Sequence, residues 1–225
     1  MRKIIAFEGI DGSGKTVQFN MLSDYLIDAG YKVARLDFPD YDSFFGKIIG
    51  KFLAGENYVD ANTVDPMSMS LWYAMDRFMT LKSFDDDCDI LITNRYTLSN
   101  AAYQSIRCSS DSIMTPDQMI DWVFELEHGV LKLPEPDIYF FLDTSKECAE
   151  KNVESKGFRD YVGDGKDVYE SRGNVQKYAR EAYLKCARRY NNIHVVQCTE
   201  NGVMMPKEKI HGMVTDLLKQ NNIID

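Results

Sequence analysis

Histidine is scarce in this chain and its cysteines follow no pairing pattern. Among 225 residues there are three histidines (His128, His194, His211) and five cysteines (Cys88, Cys108, Cys148, Cys186, Cys198), odd in number, widely spaced and without a CxxC pair. That argues against a zinc site or a disulfide framework and predicts buried, reduced thiols. With 6 Pro and 14 Gly, the chain is not fibrous or disordered. No apolar run approaches the roughly 18–20 residues of a membrane span. The N-terminal run Ile4–Phe7 is far shorter than a secretory h-region, so the sequence predicts a cytoplasmic protein that makes no use of a membrane. Basic excess is missing too: 26 basic against 35 acidic side chains give a net charge of −9. A nucleic-acid partner, which needs a basic footprint, is therefore not expected. A small anion held in one local positive pocket remains compatible with that balance. There is no internal repeat, low-complexity tract or Pro/Ser-rich linker.

What is present is one substantial apolar core's worth of sequence, 44% hydrophobic, arranged as short apolar runs alternating with helical stretches. Strands are predicted over Lys3–Glu8, Lys32–Leu36, Ile90–Asn94, Asp137–Leu142 and His194–Gln197. Helical period marks Val17–Ala29, Pro66–Phe84 and Pro116–Gly129. Such alternation predicts an α/β fold with a roughly five-stranded parallel sheet covered by helices on both faces. Most of these strands are apolar nearly throughout, as buried parallel strands are. The charged, glycine-containing stretch from Ser155 to Val168 breaks the pattern before a helical segment, Tyr169–Tyr190. It reads either as a solvated loop or as a mobile lid.

Directly after the first strand stands Gly9-Ile10-Asp11-Gly12-Ser13-Gly14-Lys15-Thr16. This is GxxxxGK[ST] in the strand–loop–helix setting of a phosphate-binding loop. At ordinary glycine usage it arises by chance in on the order of 1% of chains this long. Glycines let backbone N–H groups turn toward phosphate oxygens, and the helix N-terminus adds partial positive charge. Lys15 is then expected on the β- and γ-phosphates and the Thr16 hydroxyl on Mg²⁺. Neither an NKxD base motif nor an apolar strand ending in DE is present, so a GTPase switch or a motor is disfavoured against a kinase.

The remaining polar–aromatic clusters suit an acceptor pocket. Phe38-Pro39-Asp40-Tyr41 follows the second strand, where an α/β sheet opens its crevice. Tyr73 and Arg77 share one face of a predicted helix; they read either as a stacking plane with a guanidinium beside it or as a core tyrosine with a salt-bridged arginine. The third strand ends in Asn94-Arg95-Tyr96, and Ser99-Asn100-Ala101-Ala102-Tyr103-Gln104 begins the next helix. Arg95 is placed to clamp a phosphate. Ser99 reads as a helix N-cap, with Asn100 and Tyr103 facing one pocket.

Taken together, FEGIDGSGKT (Phe7–Thr16), LDFPDYDS (Leu36–Ser43), LWYAMDR (Leu71–Arg77), NRYTLSNAAYQ (Asn94–Gln104), LPEPDIYFFLD (Leu133–Asp143) and DVYE (Asp167–Glu170) resemble the thymidylate kinase family of P-loop nucleoside monophosphate kinases. The resemblance spans most of the chain, with the motifs in the family's order. It implies a three-layer P-loop fold as one domain over residues 1–225, with a lid near 155–167 and a homodimeric assembly. It also implies transfer of the ATP γ-phosphoryl group to dTMP with Mg²⁺. By the same resemblance Gly9, Asp11, Gly12, Ser13, Gly14, Lys15 and Thr16 hold ATP, and Asp11 also holds the acceptor's 3′-hydroxyl. Tyr73, where the family usually has Phe, stacks on the base; Arg77 and Asn100 read its edge. Arg95 binds the acceptor phosphate, with Pro39 and Tyr41 beside it, and Tyr103 crowds the ribose 2′-position. With glycine at position 12, the chain is similar to members whose charge-stabilising cation comes from the lid, which points to Arg159, with Lys156 and Lys166 behind it.

Two positions depart from the family's pattern. Val17 replaces a frequent hydroxyl residue. More consequential, Asn94 stands where the family has an aspartate near the metal; it keeps an acceptor oxygen and loses a charge, which leaves open slower catalysis, metal organised by another carboxylate such as Asp11, or binding without turnover. Three readings follow: a dTMP kinase, a kinase of the same fold for another deoxynucleotide or deoxynucleoside, or a nucleotide-binding homologue weakened at Asn94.

Overall fold

The structure, a computed structural model, describes residues 2–55, 61–85, 87–154 and 174–224. The expected lid, with Arg159, Lys156 and Lys166, and the Asp167–Glu170 motif lie outside the described residues. Five strands, β1 (Lys3–Glu8), β2 (Val33–Asp37), β3 (Ile90–Asn94), β4 (Ile138–Asp143) and β5 (Ile193–Gln197), form one sheet in the order β2-β3-β1-β4-β5. Every neighbouring pair is parallel. The predicted strands are all there, displaced by one residue at β2, β4 and β5. A two-stranded antiparallel ribbon, β6 (Thr199–Glu200) with β7 (Val203–Met204), was not expected from the sequence.

Period-two alternation explains why β1 and β4 read as continuous apolar runs: both faces are buried. Ile5 and Phe7 of β1, with Ile138, Phe140 and Leu142 of β4, pack on one side with Leu22 and Leu26 of α1 (Lys15–Asp28) and Val214 and Leu218 of α8 (Lys207–Gln220). Ala6, Tyr139 and Phe141 face the other layer. That layer includes α2 (Phe44–Ala54), α3 (Pro66–Ser83), α4 (Thr97–Ser105), α5 (Pro116–Phe124) and α7 (Val175–Arg189), while α6 (Lys146–Glu154) follows β4. Fully burying a side chain of this size is worth about 1.5–3 kcal/mol, so the two clusters anchor the sheet from both sides.

Local chemistry sets the helix ends. Asp65 accepts from the Ser68 N–H and Pro66 opens α3; Thr115 and Gln118 form a reciprocal capping box with Pro116 at the start of α5. The helix expected through Gly129 instead ends at Phe124 and continues as a π-helical turn over Glu125–Val130. An extra residue in the turn changes which side chains face inward, and it carries Glu127 into the interior.

β1 is central, with β3 and β4 on either side. The chain crosses from one half of the sheet to the other between β3 and β4, so the crevice opens beyond the carboxyl end of β1, where an α/β sheet holds its ligand. The phosphate loop, the turn after β2 and the turn after β3 all converge there.

Candidate active site

The phosphate loop runs from Gly9 to Gly14, and its last glycine caps α1 at φ 92°. Gly12 is fixed by contact as well as by its φ of 80°: a Cβ there would overlap the carbonyl oxygen of Ala149 and lie 2.8 Å from its carbonyl carbon. Asn152 Nδ2 donates to the Gly12 carbonyl at 2.8 Å, so α6 closes over the loop from outside. No larger residue fits position 12 while α6 holds this place. Lys15 Nζ donates to the carbonyls of Gly9 at 3.0 Å and Ile10 at 2.8 Å. Asp11, Gly12, Gly14, Lys15 and Thr16 line a cleft of about 690 Å³ with Asp37, Asn94, Arg95 and Val153. Ser13 is buried beneath the loop, and Gly9, at φ 148°, starts it.

A second cleft of about 550 Å³ adjoins the first. Pro39, Tyr41, Tyr73, Arg77, Arg95, Asn100 and Tyr103 all line it, together with Asp11, Phe38, Ser99 and Gln104. Every acceptor-side residue expected from the sequence therefore faces one space.

Arg95 stands between the clefts. It adopts φ 64°, a left-handed conformation costly for a side chain of this size. One guanidinium nitrogen donates to the Gly9 carbonyl and to Ser99 Oγ, each at 3.2 Å, and the other pairs with Asp11. Asp11 is in turn held by Gln176, whose Nε2 donates to Oδ2 at 3.1 Å and whose Oε1 accepts from the Asp11 N–H at 3.2 Å and from the Tyr103 hydroxyl at 3.1 Å. Ser99 does not cap a helix; Tyr96 occupies the N-cap position of α4. The Ser99 hydroxyl instead donates to Glu8. Glu8 also accepts from the N–H of Tyr96 at 2.8 Å and of Ser99 at 3.2 Å. Burial raises the Glu8 pKa from 4.5 to about 7, against those hydrogen bonds and the Arg95 charge.

Of the alternatives read from its helix, the structure shows Arg77 as a salt-bridged arginine. It forms a buried two-point ion pair, Nε to Glu127 Oε2 at 2.7 Å and Nη2 to Oε1, and it lines the second cleft. Thr97 Oγ1 donates to the same carboxylate at 2.7 Å. Asn100 Nδ2 donates to Glu127 Oε1 at 2.9 Å and to the Ser70 carbonyl at 3.1 Å. Both partners can only accept, so the orientation of the Asn100 amide is set. Its Oδ1 is buried without a partner among the described residues. Tyr73 is half-buried at the edge of the core. Asp76 positions the turn after β2: it accepts from the Asp40 N–H at 2.9 Å and from Ser43 Oγ at 2.6 Å.

Glu127, Gln176, Asp76 and Asp37 are the site residues that sequence reasoning missed. Their partners lie 50, 165 and 36 residues away for the first three and 57 for the last. No local spacing signals them. Asp37 meets Asn94 at the paired ends of β2 and β3, where Asn94 Nδ2 donates to Asp37 Oδ2 at 3.0 Å. Thr16, Asp37 and Asn94 Oδ1, which is buried and has no partner among the described residues, give the first cleft an oxygen-rich corner beside Lys15. That donor set fits Mg²⁺, which takes few protein ligands and otherwise keeps water and substrate phosphates.

A five-stranded parallel sheet with a GxxxxGK[ST] loop at its central strand, opening onto two adjoining clefts, defines a P-loop phosphotransferase. The thymidylate kinase family model matches residues 7–210. A thymidylate kinase of Mycobacterium tuberculosis is 32% identical over 188 residues, covering 82% of this chain and 85% of that protein. A probable thymidylate kinase of Methanocaldococcus jannaschii is 30% identical over 217 residues, covering 96% and 95%. Among solved structures, the thymidylate kinase of Candida albicans superposes with a TM-score of 0.73 at 21% identity, over 98% of this chain and 92% of that one. The chain belongs to the thymidylate kinase family, whose members transfer the γ-phosphoryl group of ATP to dTMP.

Proposed function

We propose that the two adjoining clefts hold ATP and dTMP end to end, with phosphoryl transfer beside Arg95. The observation that carries this is the shared wall: Asp11, Phe38, Pro39, Tyr41 and Arg95 line both spaces. Two nucleotides seated there meet phosphate to phosphate, the arrangement that in-line transfer requires. The loop amides of Gly9–Thr16 and Lys15 hold the triphosphate, and Arg95 holds the acceptor phosphate. Asp11 receives the 3′-hydroxyl, Tyr103 limits the 2′-position, and Tyr73 stacks on the base. Arg77 as donor and Asn100 Oδ1 as acceptor complement a base edge that carries a carbonyl next to a ring N–H, as thymine does. Pro39 and Tyr41 close the phosphate end.

Thr16 and Asn94 would hold Mg²⁺, which when bound neutralises charge on the β- and γ-phosphates. The five free cysteines suit a reducing compartment such as the cytosol. A homodimer is the expected assembly, and exposed Phe44, Leu71 and Met79 on α2 and α3 offer apolar surface for it.

The test is ADP production from ATP and Mg²⁺ with dTMP, dUMP, dGMP, dCMP and thymidine offered separately. Turnover strongest on dTMP is expected. Preference for another acceptor would overturn the base assignment, and dTMP binding without turnover would mark the neutral Asn94 as disabling.

A further inference from the structure

The end of β3 poses a specific problem. A bound dication and a transferring phosphoryl group would concentrate charge in the first cleft, yet the strand end beside it carries a neutral amide. The side chain in register with it on β2 is a carboxylate. Asp37 pairs with Asn94 across the strand ends, and the two side chains meet at 3.0 Å, Nδ2 donating to Oδ2. Both line the cleft that contains Lys15 and Thr16.

The geometry points to Asp37 as the residue that supplies the negative charge of the metal corner, through and beside Asn94. This deepens the phosphotransfer reading and rests on it. Two consequences of the single hydrogen bond support the assignment. First, a carboxylate only accepts, so the contact fixes which end of the Asn94 amide faces Asp37. The NH₂ group is engaged and Oδ1 is left open; that oxygen is buried and has no partner among the described residues. An open, oriented acceptor is what a water on a cation donates to. Second, full negative charge is restored one hydrogen bond from the position where an amide alone gives none. Asp37 is exposed toward the cleft while Asn94 is buried, so the carboxylate borders the space where the metal's water shell would lie; the surrounding protein partly desolvates it and raises its pKa, against the Asn94 hydrogen bond and the Arg95 and Lys15 charges. Asp11 is less available for this task, being committed to Arg95 and Gln176. Asp37 is thus a metal-positioning residue.

The readout is Mn²⁺ affinity, measured by the electron paramagnetic resonance signal of free Mn²⁺ during titration into the full chain saturated with ADP. ADP affinity in the absence of metal and the thermal midpoint are followed in parallel. Asp37→Asn keeps size and shape. It is expected to weaken Mn²⁺ binding about 10- to 100-fold, the usual scale for an outer-shell partner of a metal, while metal-free ADP affinity does not fall. The exchanged double variant, Asp37→Asn with Asn94→Asp, returns the charge to β3 and is expected to recover Mn²⁺ affinity. A structural role for Asp37 would not predict that rescue. Unchanged Mn²⁺ affinity in Asp37→Asn, or no recovery in the exchanged variant, would overturn the assignment. Failure of the wild-type chain to bind ADP and Mn²⁺ together would overturn the phosphotransfer reading itself, an outcome distinct from failure of Asp37 alone.

Discussion

At Glu127, burial and pairing pull in opposite directions. Burial alone would raise its pKa, but the Arg77 charge and the hydrogen bonds from Arg77, Asn100 and Thr97 outweigh it and leave the carboxyl below its ordinary value. The pair is therefore ionised, and removing one member leaves an uncompensated buried charge, at a cost of about 3–5 kcal/mol. Glu127→Gln should lower the thermal midpoint and also free the Asn100 amide to turn. Its expected signature is a fall in kcat/KM for dTMP with a narrowed preference over dCMP, read from both acceptors under identical conditions; an unchanged preference would detach Glu127 from base reading. Glu8 behaves in the opposite sense. With its pKa raised by burial to about 7, it keeps a proton in the folded chain where the unfolded chain has lost it. Folding takes up a proton in that window, so stability falls as pH rises from about 4.5 to about 7. The thermal midpoint of Glu8→Gln should change less than that of the wild type between pH 5 and pH 8, and parallel curves would contradict this. What was legible at this scale was local. Lys15, Thr16, Arg95, Asn100 and Tyr103 announce themselves by spacing within a motif. Glu127, Gln176 and Asp37 reach the site through long-range packing, which leaves no mark in neighbouring sequence.

Elements were legible where burial imposes a period. Strands with two covered faces stood out as apolar runs, and α3 and α5 carried both a cap and a proline at the start. The π turn at Glu125–Val130 did not show, because helical spacing continues through it and only tertiary contacts choose the wider turn. The two-residue strands β6 and β7 are too short to carry any period. Elements also meet the site through glycine. A Cβ at Gly46 of α2 would overlap the Asp40 carbonyl and lie 3.0 Å from the Tyr41 nitrogen. Gly46→Ala should therefore push α2 away from the turn bearing Pro39 and Tyr41, costing about 1–3 kcal/mol, as overpacking does. The acceptor KM should rise while nucleotide binding at the phosphate loop stays intact. Equal losses at both sites would show that α2 supports the whole crevice instead.

For the whole molecule, the strand order decides where chemistry happens. With β1 central and the chain crossing the sheet between β3 and β4, the turns after β1, β2 and β3 gather at one end. On a body with a net charge of −9, that crevice gathers three cations, Lys15, Arg77 and Arg95, of which Arg77 is paired with Glu127 and Arg95 with Asp11. Among the described residues no helix is long and apolar enough to cross a membrane. Light scattering should report about twice the 25.9 kDa chain mass, and substitution of Phe44, Leu71 and Met79 by polar residues should shift it toward the single chain; a monomer in the wild type would contradict the expected assembly.

Arg95 is bonded to the phosphate loop through Gly9 and Asp11 and lines both clefts. With ATP and dTMP seated as proposed, one guanidinium would answer to two ligands, and their affinities would be linked. Whatever factor an occupied phosphate loop applies to the affinity for dTMP, bound dTMP must apply to the nucleotide in return. A single compound tethering both halves would draw on Arg95 only once. Its affinity should depart from the product of the separate affinities by that same linkage, so the bridging molecule would weigh in one number how the two rooms communicate.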